Sequence, residues 1–179
     1  MAHPWNFISP FLTRSLLSFA FVTTFVFHFY NISTAQDLFK ATVIKAIDGD
    51  TIRLSDGRTV RYLGINAPEL RKKLDNLWIY DPEPYAEAAA QLNQQLVEGK
   101  EVLIEFDPVV GQTDGFGRLL AYVYIIDDKR LANEEILKAG LAKTDTPSLL
   151  MKHRIRFWSI EERAWTEKRG LWADAENAP

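Results

Sequence analysis

Thr42-Val43-Ile44, Thr51-Ile52-Arg53-Leu54 and Thr59-Val60-Arg61-Tyr62-Leu63 follow one another within about twenty residues, and all three are rich in β-branched side chains. Ser55-Asp56-Gly57 between the second and third supplies a hairpin turn, so the segment is an antiparallel β-meander beginning near Leu38. Two more strands are expected at Glu101 to Phe106 and Leu119 to Ile126, joined through the turn Asp114-Gly115-Phe116-Gly117. Between the two groups Pro84 opens a helix in which Tyr85, Ala89, Leu92 and Leu96 recur at helical spacing, and Gly99 ends it. A short helix around Ala132 to Ala139 is capped by Gly140. A last helix from about Leu149 to Lys168 carries Phe157, Ile160, Ala164 and Trp165 on one side and stops at Gly170. The charged stretch from Arg71 to Asp81 has no clear period and is expected to be a solvent-exposed loop. The fold class that results is α+β, mainly β: a five-stranded Greek-key barrel of the OB type with three helices.

The chain has 179 residues, 47% of them hydrophobic, enough for one packed domain and an appendage. The appendage is N-terminal. Arg14 is the sole charged side chain before Asp37, and Ser15 to Tyr30 is an uncharged run of Phe, Leu and Val. Residues 1–35 are therefore expected to be a signal peptide cleaved after Ser33-Thr34-Ala35, or a signal anchor if Phe7 to Thr13 joins the apolar run with Arg14 snorkelling. The remainder, residues 37–174, is the expected domain, exported by secretion or into a periplasm, or else tethered to a membrane with the domain outside the cytoplasm.

Residues 1–35 hold one arginine and no acid, which leaves 20 basic and 24 acidic side chains and a formal charge of −4. Such a domain does not coat nucleic acid as a polycation; phosphates must be met by a few placed arginines. Cysteine is absent, which excludes thiol chemistry and a thiolate-bound metal. His153 is the one histidine after residue 35, and no Gly-x-Ser-x-Gly elbow accompanies it. It reads as an exposed helix residue with no catalytic task, and the aromatic residues of the last helix read as core.

Three short motifs carry chemistry: Ile47-Asp48-Gly49-Asp50-Thr51-Ile52, Arg61-Tyr62-Leu63-Gly64-Ile65-Asn66-Ala67-Pro68-Glu69 and Asp114-Gly115-Phe116-Gly117-Arg118. Each alone is as well explained by a turn, a surface arginine or a solvated loop acid; together they make a site. Asp50 offers a carboxylate at a strand end, and Asn66 and the backbone carbonyl of Ala67 offer further oxygens suited to Ca²⁺. Glu69, on a loop stiffened by Pro68, can orient a water and take its proton. Arg61 and Arg118 present planar forks that match phosphate oxygens and the charge of a pentacovalent transition state.

These motifs resemble the staphylococcal-nuclease-like, or thermonuclease-type, family. The likeness runs from about Ala41 to about Trp172 and includes Ala41 to Thr51, Ala67-Pro68-Glu69, Gly117 to Tyr122 and Gly140-Leu141-Ala142-Lys143. The resemblance implies an OB-like barrel with three helices and Ca²⁺-dependent cleavage of DNA and RNA, typically leaving 3′-phosphates. Single-stranded substrates and a monomeric protein are expected, with a membrane tether through the N-terminal segment as an alternative. The resemblance also implies Asp50 as the first metal carboxylate, Ala67 as the carbonyl donor, Glu69 as general base, and Arg61 and Arg118 as catalytic arginines. Asn66 stands where the family has a metal-binding Asp, one negative charge short, and Phe116 stands where its best-known members have Tyr. A domain of this shape that has lost the chemistry and only binds nucleic acid or a protein is the competing expectation.

Overall fold

The computed structural model describes residues 38–173. The expected export signal or anchor, residues 1–35, lies outside them. Five strands close into a barrel: β1 (Leu38–Ala46), β2 (Thr51–Leu54), β3 (Thr59–Tyr62), β7 (Glu101–Glu105) and β8 (Leu119–Ile125), in the order β1-β2-β3-β8-β7. All neighbours are antiparallel except β3 and β8, which run parallel, as an OB-type barrel requires. Three helices, α1 (Ala86–Val97), α2 (Ala132–Lys138) and α3 (Arg154–Thr166), pack around it. Two two-stranded ribbons complete the strands: β4 (Ile65–Asn66) with β9 (Lys143–Thr144), and β5 (Arg71–Leu74) with β6 (Leu77–Tyr80).

Alternation decides what faces in. Ile52, Leu54, Val60 and Tyr62 are fully buried, while Arg53 and Arg61 between them point outward. The register of β1 against β2 shifts between Val43 and Lys45, so Ile44 and Lys45 are both exposed and Lys45 pairs with Arg53 on the outer face. Each buried aliphatic side chain contributes roughly 1.5–3 kcal/mol. Two buried asparagines fasten the barrel to its helices. Asn93 of α1 accepts from the Tyr62 hydroxyl at 2.7 Å and donates to the Asp48 carbonyl at 2.8 Å. Asn133 of α2 donates to the Leu63 carbonyl at 2.9 Å and accepts from Val123 N–H at 3.0 Å.

Several local expectations are corrected. The segment 71–80 is a regular hairpin with a two-residue tip at Asp75 and Asn76, not a loop, although every residue in it is exposed as expected. Helix α1 starts at Ala86, since Pro84 and Tyr85 form a turn with Tyr85 left-handed at φ 68°. Helix α3 starts at Arg154, later than expected. Phe157 and Ala164 are its buried residues, whereas Trp158 and Trp165 are 42% and 46% exposed and so are not core.

His153 is not an exposed helix residue either: it precedes α3 with its side chain largely covered, against the rings of Tyr122 and Phe157. The Tyr124 hydroxyl donates to Glu105 at 2.9 Å, so at 3.0 Å from His153 it accepts the Nε2 proton. Burial, then the neighbouring Lys152 charge, hold the imidazole below its ordinary pKa of 6.5, against Glu105 and Glu134. The unfolded chain thus takes up this proton first as pH falls, and stability should decline from about pH 6.5 until the folded imidazole also titrates. Urea midpoints at pH 7.5 and pH 5 should differ more for the native sequence than for His153→Gln; equal differences would remove His153 from the pH dependence.

Candidate active site

The turn before β2 builds the floor. Asp48 accepts the Asp50 N–H at 3.0 Å, Ile47 N–H bonds the Thr51 carbonyl at 2.8 Å, and Asn93 holds the Asp48 carbonyl from behind. Gly49 sits where a Cβ would come within 2.6 Å of Ala67 Cβ and 2.7 Å of Ala89 Cβ. The turn therefore lies flat against the start of the Glu69 loop and against α1. Gly49→Ala should lower unfolding free energy by about 1–3 kcal/mol, measured by urea titration, because two well-packed elements must part; an unchanged midpoint would mean the contact yields freely.

Asp50 is fully buried. Its carboxylate accepts the Ala67 N–H at 2.6 Å and the Thr51 hydroxyl at 3.2 Å, and is paired with Arg61 Nη1. Arg61 projects from the outer face of β3, opposite Thr51 on β2 and Leu120 on β8. Its second fork nitrogen donates to the Asn66 amide oxygen, and Nη1 lies 3.7 Å from Glu69 Oε1. One guanidinium thus gathers Asp50, Asn66 and Glu69. Asn66 reaches it because β4 pairs with β9, Asn66 against Lys143, just beyond a left-handed Gly64 at φ 85°.

Burial pushes Asp50 well above the ordinary carboxylate range; Arg61 and the Ala67 N–H pull it down and Asp48 adds to the rise. A buried negative charge so poorly balanced favours additional positive charge nearby. The oxygens at hand, the Asp50 carboxylate, the Asn66 amide and the Glu69 carboxylate, are of the kind that suits a hard cation. Among the described residues no three acidic or histidine side chains gather closely enough to hold a metal alone. The donor set therefore fits a hard cation that also relies on water and substrate oxygens.

Glu69 is fixed through its backbone: its N–H bonds Glu83 Oε2 at 3.0 Å, and its carbonyl accepts the Glu83 N–H at 3.0 Å. The side chain is half exposed, 48% accessible. Burial first, then Asp48, raise its pKa, while Arg61 and Arg118 pull the other way. Arg118 enters just before β8. Leu120 is level with Arg61 on β8, and Arg118 two residues earlier points to the same outer face. Asp114, which sequence reading passed over except as a turn residue, holds Arg118: its carboxylate accepts the Arg118 N–H at 3.0 Å and Nε at 2.6 Å, and the Phe116 N–H at 2.9 Å. Nε is thus engaged by Asp114, and the guanidinium carbon lies 5.5 Å from the centroid of the Phe116 ring.

Glu69, Arg118 and Phe116 line one cleft of about 940 Å³, together with Lys45, Asp48, Thr51, Arg53, Thr59 and three residues of the β5–β6 ribbon. Its cations, Lys45, Arg53, Arg71 and Arg118, outnumber its acids, Asp48 and Glu69, in a chain that is acidic overall. Of the residues singled out from sequence, Asp50, Arg61, Asn66, Ala67 and Glu69 form one connected cluster, and Arg118 shares the cleft with Glu69. The backbone N–H of Ala67, rather than its carbonyl, makes the contact to Asp50.

The comparisons with known proteins bear on the family of the chain. Residues 59–174 match the staphylococcal nuclease homologue family. The chain is 36% identical over 144 residues to the SPbeta prophage-derived endonuclease YokF of Bacillus subtilis, covering 77% of this chain and 45% of that protein. It is 36% identical over 144 residues to endonuclease YncB of the same organism, covering 77% of this chain and 64% of that one. Against the thermonuclease of Staphylococcus hyicus identity is 30% over 135 residues, 74% of this chain and 75% of the relative. The chain thus spans about half to two thirds of the length of the two Bacillus relatives. With a closed five-stranded barrel, a parallel β3–β8 pair and a family match covering most of the described residues, the chain belongs to the staphylococcal nuclease homologue family.

Proposed function

We propose that this protein is a calcium-dependent nuclease that hydrolyses phosphodiester bonds of DNA and RNA. The observation that carries this reading is the meeting of one half-exposed carboxylate, Glu69, with Arg61 at 3.7 Å and with Arg118 in the same cation-lined cleft. Arg61 and Arg118 bind the non-bridging oxygens of the phosphate, and their fixed charge is met by the growing negative charge of the pentacovalent state. Glu69 accepts a proton from the attacking water, whose oxygen bonds to phosphorus as the ester oxygen departs and takes a proton from solvent. Burial, then Asp48, raises its pKa and so makes it a stronger base than an ordinary glutamate.

Asp50, the Asn66 amide and the Ala67 carbonyl would hold the calcium, whose contribution when bound is Lewis-acid polarisation of the phosphate. A second carboxylate at position 66 should tighten that hold. Asn66→Asp is expected to lower the calcium concentration for half-maximal activity; no shift, or an upward one, would exclude Asn66 as a ligand. The enzyme acts outside the cytoplasm, after export through its first 35 residues. Incubation of purified protein with single-stranded DNA in Ca²⁺ or in EDTA tests the whole reading: cleavage in Ca²⁺ alone supports it, and binding without cleavage in both would leave a nucleic-acid-binding domain.

A further inference from the structure

The β5–β6 hairpin puts apolar surface into water. Every residue from 71 to 80 is exposed, including Leu77 at 72%, Trp78 at 64% and Tyr80 at 61%. A two-stranded ribbon is marginal by itself, and large exposed apolar groups on a small domain mark a contact surface. The register sorts its side chains. Arg71 pairs with Tyr80 and Lys73 with Trp78, so these four share one face, while Lys72, Leu74, Leu77 and Ile79 share the other. The first face is the one turned to the cleft, since Arg71, Trp78 and Tyr80 line it with Glu69 and Arg118.

The ribbon is also fixed relative to the reacting groups. It begins two residues after Glu69, and its base is closed by Asp81 N–H to the Leu70 carbonyl at 3.2 Å and Glu83 N–H to the Glu69 carbonyl at 3.0 Å. The Tyr80 hydroxyl donates to Glu87 in the first turn of α1. Across the cleft Phe116 is 87% exposed. We propose that this hairpin is a base-stacking arm: Trp78 and Tyr80 take unpaired bases of a single nucleic-acid strand whose phosphate lies against Arg118, and Arg71 and Lys73 hold the adjacent phosphates.

The inference rests on the phosphodiesterase reading for the position of the phosphate, and it deepens that reading by assigning a base-binding subsite to the β5–β6 hairpin. Charge and shape argue for this occupant. On this face the cations stand in one row on β5 and the rings in a row beside them on β6, each spaced about 7 Å, matching a single strand whose phosphates run along one side and whose bases lie on the other. Bases within a duplex are already stacked and closed to such rings, so the arm selects unpaired ones. A protein partner would need an apolar core, and this face mixes each ring with a cation and is continuous with the cationic cleft.

The test is equilibrium binding of fluorescently labelled oligodeoxythymidylate, and of a duplex of the same length, to the full-length protein in EDTA. Trp78→Ala should weaken single-strand binding about tenfold to a hundredfold, with Trp78→Phe restoring most of it and Tyr80→Ala also weakening it. Leu77→Ala, on the opposite face, should bind as the native sequence does. Single-strand binding unaffected by Trp78→Ala and Tyr80→Ala would overturn the arm, as would an equal loss with Leu77→Ala or native affinity no greater for single strand than for duplex. If the expected binding pattern appears but no strand is cleaved in Ca²⁺, the arm stands and the hydrolase reading falls. If strands are cleaved in Ca²⁺ but the variants bind as the native sequence does, the reverse holds.

Discussion

Glu69→Gln should reduce kcat on single-stranded DNA by about 10²–10⁴-fold, the usual contribution of a positioned general base, with the fold unchanged. The separation of the two effects follows from how Glu69 is held. Its position is set by backbone bonds to Glu83 that the substitution leaves in place, while its side chain is half exposed and makes only the 3.7 Å approach to Arg61. Gln keeps the shape and the hydrogen-bond reach but cannot accept the proton. Stability should therefore move by no more than about 0.5 kcal/mol. Single-turnover cleavage with saturating DNA and calcium, alongside urea unfolding of the same preparation, measures both. A variant that cleaves at the native rate would remove Glu69 from the chemistry, and a variant that unfolds early would make the lost rate uninformative until a better-folded substitution was found.

The parts of this molecule that were legible in its sequence are those where one physical requirement dominates. The three β-branched runs of β1 to β3 follow from half-buried strands, which need an apolar residue at every second place. Asp50, Glu69 and Arg118 stood out because turn or proline residues flank them, and such positions leave a polar side chain at an element's end, whereas Arg61 lies within β3 and drew notice through the Gly64 to Glu69 motif that follows it. The hairpin at 71–80 was missed because neither of its faces is buried, so no apolar/polar alternation marks it. Its pairing was present all the same, as Arg71 and Lys73 two apart and Trp78 and Tyr80 two apart across the Asp75-Asn76 tip. Asp114 and Asn93 were missed for other reasons. Asn93 bonds an Asp48 carbonyl 45 positions away, brought near only by folding, whereas the bonds of Asp114 to Phe116 and Arg118 are local but look in the sequence like those of any turn aspartate. The last helix misled by its spacing. Phe157 and Trp165 fall near one stripe, but α3 lies chiefly against α2 and β9 and buries only Phe157 and Ala164, so that Trp165 is half in water.

Arg61 and Arg118 invite the same mutation and should answer differently. Arg118→Ala removes a fork held by Asp114 at a partly exposed turn, where a pair of this kind is worth at most about 1 kcal/mol, so the loss should fall on turnover with stability nearly intact. Arg61→Ala removes the cation that partners Asp50, a carboxylate with 1% of its side chain accessible, and releases Asn66 and Glu69 as well. Breaking a buried pair by deleting one member costs about 3–5 kcal/mol, because the remaining charge is left without its partner. Part of that cost is avoided if Asp50 takes up a proton, and its carboxyl is already pushed upward by burial. Arg61→Ala should therefore be markedly destabilised in urea, whereas Arg61→Ala with Asp50→Asn should recover part of the lost stability and none of the activity. Both single variants should lose at least about a hundredfold in kcat/KM on DNA, which is what one donor to a developing oxyanion contributes. If Arg61→Ala is as stable as Arg118→Ala, then the Asp50–Arg61 pair does not support the floor of the site. If the double variant gains nothing over Arg61→Ala, the penalty lies in lost packing of the guanidinium rather than in the stranded carboxylate.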